Sequence, residues 1–491
     1  MAFLKHARAI YVGGEWVQTA EAEAVINPAD ESLLIEAPVG SASQVEQAIA
    51  AARHAFDKGP WPRLSVRERQ AKMSEFLDAL DARKAEIVDM IVAEAGATRM
   101  LAEFLQFGIP MKHARRSIEV ASRPAITSLP VELTPNAQGT TTLGAAIQSR
   151  EPIGVVAAIS PYNFPFFLNI GKVVPALLVG CTVVLKPSPY TPMEALILGE
   201  IADQVGLPKG VLNVVTGDIE AGQILTSDKR VDLVHFTGSD KVGSAIQAQA
   251  APTLKRCVME LGGKSALIVR PDANIQAAAQ AGIMGFVTHC GQGCALTTRH
   301  IVHNSIRPQF VETMKAMLGH IKIGNPADPS VSYGPLIRDV ARTRTESYVQ
   351  IARDEGATLI AGGRRPEGLD KGFFFEPTLF DNVDNNSRIA QEEVFGPIGA
   401  VIGYDDDDQA VAMANDSDFG LSGAIYSADA GKAYEMALQI RTGGVSINGG
   451  SGTMLSDAPF GGIKRSGYGR EYGEEGLNEF TYIKTIGFHA A

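Results

Sequence analysis

The chain has 491 residues, 45% of them hydrophobic and 20% charged, which is enough apolar sequence for several cores and far from the composition of a disordered protein. Its formal charge of −11 offers phosphate backbones no general attraction, and nucleic-acid binding would need a local basic patch that the sequence does not display. The longest strongly apolar run, 173–185, contains Pro175 and Gly180 and is too short to span a bilayer.

Near the amino terminus, Lys5, His6 and Arg8 precede no adequate apolar core with a processing site, so the chain is expected to be cytoplasmic. Tyr11-Val12 and Val17 flank Gly13-Gly14-Glu15-Trp16 and predict two short extended pieces around a turn, with Asn27-Pro28 a second turn. Val45, Ile49, Ala52 and Phe56 share a face at helical spacing and predict a helix over about 44–56. Ser65, ahead of Arg67-Glu68-Arg69, starts another helix, and charged and apolar residues alternate at helical spacing to about residue 95. From about 129 to 150 the pattern becomes Thr-rich and extended, with Pro135, Asn136 and Gly139 near its turn. This predicts a projecting hairpin whose edge must be paired or covered.

The core pattern resumes at 153–159 and then cycles between strands at 183–185, 211–215 and 231–236 and helices, one of them over 192–205. Short apolar strands separated by helices predict a mainly parallel α/β sheet. A second cycle follows Glu260, with strands at 266–269, 399–404, 423–426 and 445–448 and a helix over 275–286. Two α/β domains with a cleft between them follow. A last strand over 482–486, set off by Gly-rich sequence, is expected to join the hairpin in a small interface domain. No tandem repeat or low-complexity tract alters this organisation.

The four cysteines, Cys181, Cys257, Cys290 and Cys294, are too few for a disulfide framework at this length. Cys290 and Cys294 lack the spacing of a zinc-ribbon pair and no second pair follows, so no metal site is expected. Cys294 lies in His289-Cys290-Gly291-Gln292-Gly293-Cys294-Ala295, where small neighbours let a substrate carbon approach the thiol. An unperturbed thiol ionises near about 8.5 yet is intrinsically nucleophilic. A helix opening at Ala295 would further favour thiolate, and the competing reading is a buried packing cysteine.

Glu260, in Val258-Met259-Glu260-Leu261-Gly262-Gly263-Lys264, is by itself either a salt-bridge partner or a general base for water. Asn163 alone reads as a turn-stabilising residue. Gly238-Ser239-Asp240-Lys241-Val242-Gly243 lacks the three-glycine dinucleotide fingerprint and alone reads as a turn ahead of a helix. Phe236 nevertheless ends a strand and Ser239 opens a helix, which places backbone donors where a pyrophosphate could meet them.

Glu260-Leu261-Gly262-Gly263-Lys264-Ser265 and Gly291-Gln292-Gly293-Cys294 resemble, in sequence and in separation, the two signature regions of the NAD(P)-dependent aldehyde dehydrogenase superfamily. Pro161-Tyr162-Asn163-Phe164-Pro165, Lys186-Pro187-Ser188, Phe236-Thr237-Gly238-Ser239 with Gly243, Glu392-Glu393-Val394-Phe395-Gly396-Pro397 and Pro459-Phe460-Gly461-Gly462 match in order. Each word is modestly specific and the ordered set is very specific, with similarity through most of the chain. The resemblance implies an α/β fold of aldehyde dehydrogenase type, with two α/β domains and a small β oligomerisation domain. The cofactor-binding domain is expected at 1–128 and 151–259, the catalytic domain at 260–455 and the oligomerisation segments at 129–150 and 475–491, with 456–474 connecting across the substrate and cofactor cleft.

The implied activity is NAD(P)-dependent, non-acylating oxidation of an aldehyde to its carboxylic acid, without a catalytic metal. By resemblance, Cys294 attacks the aldehyde carbon to form a thiohemiacetal, and Asn163 and the Cys294 backbone amide donate to the developing oxyanion. Hydride leaves the tetrahedral carbon for C4 of nicotinamide, because a tetrahedral alkoxide expels hydride where a planar aldehyde does not readily do so. Glu260 then deprotonates the water that hydrolyses the thioester. The implied cofactor residues are Lys186, an adenosine-ribose contact, Ser188, Gly238 and Ser239 near the pyrophosphate, Gly243, Glu393 on the nicotinamide ribose, and Phe395 beside the nicotinamide.

Two positions depart from the family pattern. Pro189 stands where a glutamate often follows the Lys-Pro motif, so no carboxylate there binds ribose hydroxyls or repels a 2′-phosphate. NADP is thereby favoured more than the family name suggests, while NAD keeps contacts through Lys186 and the backbone. His289 stands where many members have asparagine, and a structural or modulatory role is expected because Glu260 already fills that of the base.

Phe164, Leu168, Met454 and Phe460 correspond approximately to substrate-tunnel positions and suggest an apolar aldehyde, aromatic or medium-chain aliphatic, with core packing the competing reading of each. Gly171 is expected to leave space where a bulky side chain narrows related tunnels. The hairpin and last strand imply a homodimer or homotetramer. The alternatives are a CoA-acylating semialdehyde dehydrogenase, against which Glu260 argues, a cysteine-dependent ester hydrolase, and a non-catalytic structural protein with the same fold.

Overall fold

In the computed structural model, which describes residues 4–121, 125–135, 137–450 and 454–489, Gly13 and Gly14 take φ of 63° and 80° and turn the chain between antiparallel strands Ala9–Val12 and Glu15–Gln18. Helices Ala42–Asp57, Val66–Ala82 and Lys84–Ala95 follow. Ser41 and Ser65 cap the first two by reciprocal bonding with Gln44 and Glu68, a device worth about 1 kcal/mol at each helix start.

The first sheet runs Glu15–Gln18, Ala9–Val12, Leu212–Val214, Thr182–Lys186, Val155–Ile159, Leu233–Thr237, Arg256–Glu260, Gly467–Tyr468. Its five central strands, Leu212–Val214 to Arg256–Glu260, are parallel. Along Val155–Ile159 alternate side chains serve opposite layers: Val156 and Ala158 pack with helices Val66–Ala82, Pro165–Val179 and Met193–Gln204, while Val155 and Ala157 pack with Ala42–Asp57, Ile219–Ser227 and Asp240–Ala250. Both faces are covered, and for that reason these strands read as unbroken apolar runs. Strand order reverses between Val155–Ile159 and Leu233–Thr237, the kind of switch point beside which open α/β sheets bind ligands.

The second sheet runs Thr358–Ala361, Thr378–Asp381, Ile398–Tyr404, Arg299–His303, Ala266–Val269, Ser422–Tyr426, Gly444–Ile447, with only its first strand antiparallel. In a third, smaller sheet Thr141–Pro152 pairs with Thr481–His489 and, along its other edge, with Ile126–Ser128 and Glu132–Pro135. The hairpin and last strand therefore meet as expected, although pairing begins at Ile126 and runs to Pro152. Asn136, expected near the hairpin turn, lies outside the described residues. Gly467–Tyr468, in the segment expected to connect domains, pairs with Arg256–Glu260 and closes the first sheet. Among the described residues no helix is long and apolar enough to cross a membrane.

Candidate active site

Strand register builds one side of the site. Ile159 pairs with Lys186 on one side and Phe236 on the other, and Thr237 pairs with Glu260. Four neighbouring parallel strands thus end in line, and Asn163, Lys186, Gly238 and Glu260 lie at or just beyond their carboxyl ends. Glu260 is buried, and among the described residues neither of its carboxylate oxygens has a hydrogen-bond partner. Burial, reinforced by the charge of Glu471, pushes its carboxyl well above the usual range, against the pull of Lys172 and Arg470.

Cys294 arrives from the second lobe, on the loop between helix Ile275–Val287 and strand Arg299–His303. His289, Cys290 and Gly291 take φ of 49°, 58° and 73°, a run of left-handed backbone that reverses the chain. Gln292 pins the loop: its Nε2 donates to the His289 carbonyl at 3.1 Å and its Oε1 accepts from the Ile337 amide at 3.0 Å. The two signature segments touch, since a Cβ on Gly263 would fall 2.5 Å from the Cys294 carbonyl oxygen.

No helix opens at Ala295, so the condition for a helix-favoured thiolate is not met; residues 294–295 form a turn and extended chain leads to Arg299–His303. A glycine-bearing run without a capping side chain gives the backbone no reason to begin one. The half-buried thiol therefore has no helix terminus to favour its anion, and burial, then Glu260, Glu393 and Glu471, push its pKa far up. Cys290 is buried in the core and its Sγ donates to Tyr333 Oη at 2.9 Å.

Asn163 is buried on the turn after Val155–Ile159. Its Nδ2 donates to the Gln292 carbonyl at 2.8 Å, which occupies one of the two amide hydrogens.

Three buried residues beside Glu260 escaped the sequence reading: Lys172, His235 and Glu471. Lys172 Nζ lies 2.5 Å from Glu471 Oε1 and donates to Thr237 Oγ1 at 2.7 Å, and His235 Nε2 is 2.8 Å from the same Glu471 oxygen. Burial raises the Glu471 carboxyl, but Lys172 and His235 outweigh it and hold the group ionised. Burial, with Lys172 beside it, pushes His235 down to about 4, so the ring is neutral. The available signal was Lys172 itself, the one charged residue among the buried side chains of helix Pro165–Val179.

On the cofactor side, Lys186 is buried and donates to the Pro187 carbonyl at 3.2 Å. Burial pushes its ammonium down to about 8, against Asp218 and Glu23. Ser188 Oγ accepts from the Tyr190 amide at 3.2 Å, and Ser239 Oγ accepts from the Val242 amide as the cap of helix Asp240–Ala250. Gly238 lies beneath the Phe236 ring, where a Cβ would come within 2.4 Å, and a Cβ on Gly243 would meet Leu261 at 2.7 Å. Glu393 Oε1 accepts from the Gly263 amide at 3.0 Å, and burial pushes its carboxyl up to about 7. Phe395 takes φ of 55° and stands edge-on to Tyr162, with ring centroids 6.0 Å apart.

This donor set fits a nicotinamide dinucleotide. Lys186 has spare donor hydrogens in a buried position, the first turn of helix Asp240–Ala250 offers amides to phosphate, and Glu393 offers a carboxylate oxygen to ribose hydroxyls. Among the described residues no group of three His, Cys, Asp or Glu side chains could hold a metal ion.

Phe164 and Leu168 are half-buried around the start of helix Pro165–Val179. Phe460 is half-buried and exchanges two backbone hydrogen bonds with Glu471, at 2.8 and 2.7 Å. Met454 is more exposed, with its carbonyl 3.4 Å from His113 Nε2. Gly171 does not leave open space: a Cβ there would fall 2.9 Å from Tyr472 Oη, and the Tyr472 ring packs against those of His113 and Phe167. The missing side chain is replaced by a tyrosine from a remote segment.

The sequence profile described as the aldehyde dehydrogenase family matches residues 16–486. The structure is similar to that of a Mycobacterium tuberculosis aldehyde dehydrogenase complexed with NAD+, with a TM-score of 0.91 and 40% identity over 98% of this chain and 97% of that one. It is similar to Staphylococcus aureus betaine aldehyde dehydrogenase in complex with NAD+, with a TM-score of 0.94 and 35% identity over 99% and 96% of the two chains. A Pseudomonas syringae aldehyde dehydrogenase C mutant complexed with NAD+ and octanal gives a TM-score of 0.92 and 36% identity over 98% and 96%.

Proposed function

The chain belongs to the aldehyde dehydrogenase family, and from that membership we propose that it oxidises an apolar aldehyde, aromatic or medium-chain aliphatic, to the carboxylic acid at Cys294. The class of activity is NAD(P)-dependent and non-acylating. The observation that carries the residue assignment is the convergence at one cleft of Cys294, Asn163 tied to the Cys294 loop, and a buried Glu260 whose charge acts on the thiol.

Cys294 releases its proton to water as its sulfur bonds to the aldehyde carbon. The second Nδ2 hydrogen of Asn163 and the Cys294 backbone amide meet the oxygen as it gains negative charge, where fixed donors in a water-poor site act most strongly. Lys186, Gly238, Ser239 and Glu393 would hold the nicotinamide cofactor, and Ser188, Gly243 and Phe395 shape its cradle. When bound, the cofactor supplies the hydride acceptor. Water then opens the thioester on Cys294 as Glu260 takes its proton. A carboxylate with a raised pKa is the better base for this step.

The half-buried Phe164, Leu168 and Phe460 support an apolar substrate, as does octanal in the Pseudomonas syringae relative. Met454 contributes at the outer end. Pro189 places no carboxylate after the Lys186-Pro187-Ser188 segment, which admits NADP beside NAD. Leu133 and Leu143 on the hairpin and Ile483, Ile486 and Phe488 on the last strand are exposed apolar side chains on one small sheet, which supports a homodimer or homotetramer built through it.

Purified protein is expected to form reduced nicotinamide and carboxylate from an aldehyde without CoA. A matrix of aldehydes against NAD and NADP tests this. Failure across a broad panel with both cofactors would sink the assignment, and acyl-CoA formed faster than acid would favour the acylating alternative.

A further inference from the structure

The turn carrying Asn163 and the loop carrying Cys294 come from different lobes, and a closed circuit of polar groups ties them. Asn163 donates through Nδ2 to the Gln292 carbonyl at 2.8 Å, and Gln292 donates through Nε2 to the His289 carbonyl at 3.1 Å. The Asn163 carbonyl accepts from Gln106 Nε2 at 3.3 Å and is also met by the His289 imidazole. The His289 ring lies 5.4 Å from that of Phe164, the next residue along.

Two features mark this circuit as built. Gln106 is fully buried within a π-helical segment, Ala102–Gly108, and such widened turns displace side chains from ordinary helical register. His289 and Cys290 hold a left-handed backbone that non-glycine residues rarely adopt, and that reversal carries the imidazole toward Asn163.

We infer that His289 and Gln106 are positioning residues for Asn163, which grip its carbonyl from the two lobes and so aim its second amide hydrogen at the oxygen of an aldehyde on Cys294. The inference rests on the aldehyde-oxidation reading of the site. Burial pushes His289 down to about 4, so the ring stays neutral and serves as a fixed donor rather than a proton carrier. A neutral imidazole has a single N–H. With that hydrogen directed at Asn163, Nε2 is left buried without a partner among the described residues.

A double-mutant cycle tests it. His289→Phe keeps a ring but removes the donor, His289→Asn restores a short donor, and Asn163→Ala removes the amide being aimed. His289→Phe is expected to lower kcat/KM for the aldehyde about 10-fold, with His289→Asn recovering most of the loss. Added to Asn163→Ala, His289→Phe should cost less than about 2-fold more, because coupled residues act as a unit. Gln106→Leu is expected to behave in the same way.

Alkylation of Cys294 by iodoacetamide needs no oxyanion donor and should stay within about 2-fold of wild type in His289→Phe and Gln106→Leu. An alkylation rate that falls in step with turnover, or a His289→Phe penalty that multiplies undiminished on Asn163→Ala, would overturn the inference in favour of general loop packing. Full activity in Asn163→Ala would instead remove the role of Asn163 on which it rests.

Discussion

The side-chain amide of Asn163 donates to the main-chain carbonyl of Gln292, two residues before Cys294, across 2.8 Å. A single hydrogen bond therefore couples the strand end that carries the proposed oxyanion donor to the loop that carries the proposed nucleophile. Misplacement of reacting groups by about 1 Å can cost roughly 100-fold in rate, so anything that shifts either partner should register in turnover.

Glu260→Gln separates the two halves of the reaction. Formation of the thioester on Cys294 should persist, while steady-state turnover falls by roughly 10²–10⁴ because water loses its base. Intact-mass analysis of quenched enzyme is expected to show an acyl adduct that wild type does not accumulate. A variant that turns over normally, or that never acylates, contradicts the assignment.

Glu471→Gln should move the acid limb of the kcat–pH profile to lower pH. Glu260 must be ionised to accept a proton from water, so the hydrolytic step gains rate as pH rises through its pKa. Burial and then the Glu471 charge hold that pKa up, while Lys172 pulls it down. Removing the Glu471 charge, and with it the partner of Lys172, lowers it on both counts. Breaking a buried ion pair also costs about 3–5 kcal/mol, so the profile belongs well below the melting temperature. A limb that stays in place or moves upward counts against this electrostatic linkage.

Gly263→Ala should damage turnover more than cofactor binding. The added Cβ would lie 2.5 Å from the Cys294 carbonyl oxygen, a clash with main chain that only a shift of the nucleophile loop relieves. Overpacking of this kind costs about 1–3 kcal/mol. Thermal melting should fall accordingly, and kcat should fall by at least about 10-fold, since loop position sets the attack geometry.

Lys186→Met should weaken NAD and NADP binding by about 10–100-fold, the worth of roughly one charged hydrogen bond. Titration calorimetry on the variant reads this directly. Unchanged affinity would remove Lys186 from the proposed cofactor cradle.

Much of the architecture was legible because its causes are local. Val155 to Ile159 reads as a strand since both of its faces are buried, Ser65 with Glu68 announces a helix start, and the Thr-rich stretch finds the last strand as its partner. What escaped depends on distant chain. A glycine at 171 shows that a side chain is missing but not that Tyr472 fills the gap. Nothing near Ala295 capped a helix, and the reversal at His289 and Cys290 is made by non-glycine residues that carry no turn signature. Lys172 announced only that a buried charge needed a partner.

That partner, Glu471, lies 299 residues further along the chain. During synthesis the helix holding Lys172 leaves the ribosome long before its counter-charge, and the edge strand Gly467–Tyr468 emerges equally late. The five central strands of the first sheet can assemble meanwhile, but around a lysine that still lacks its hydrogen-bonded carboxylate. Chains that terminate before residue 467 would keep most of their apolar core yet bury Lys172 without its ion-pair partner, an instability that leaves such products open to proteolysis. Competence for catalysis thus arrives with the final stretch of translation.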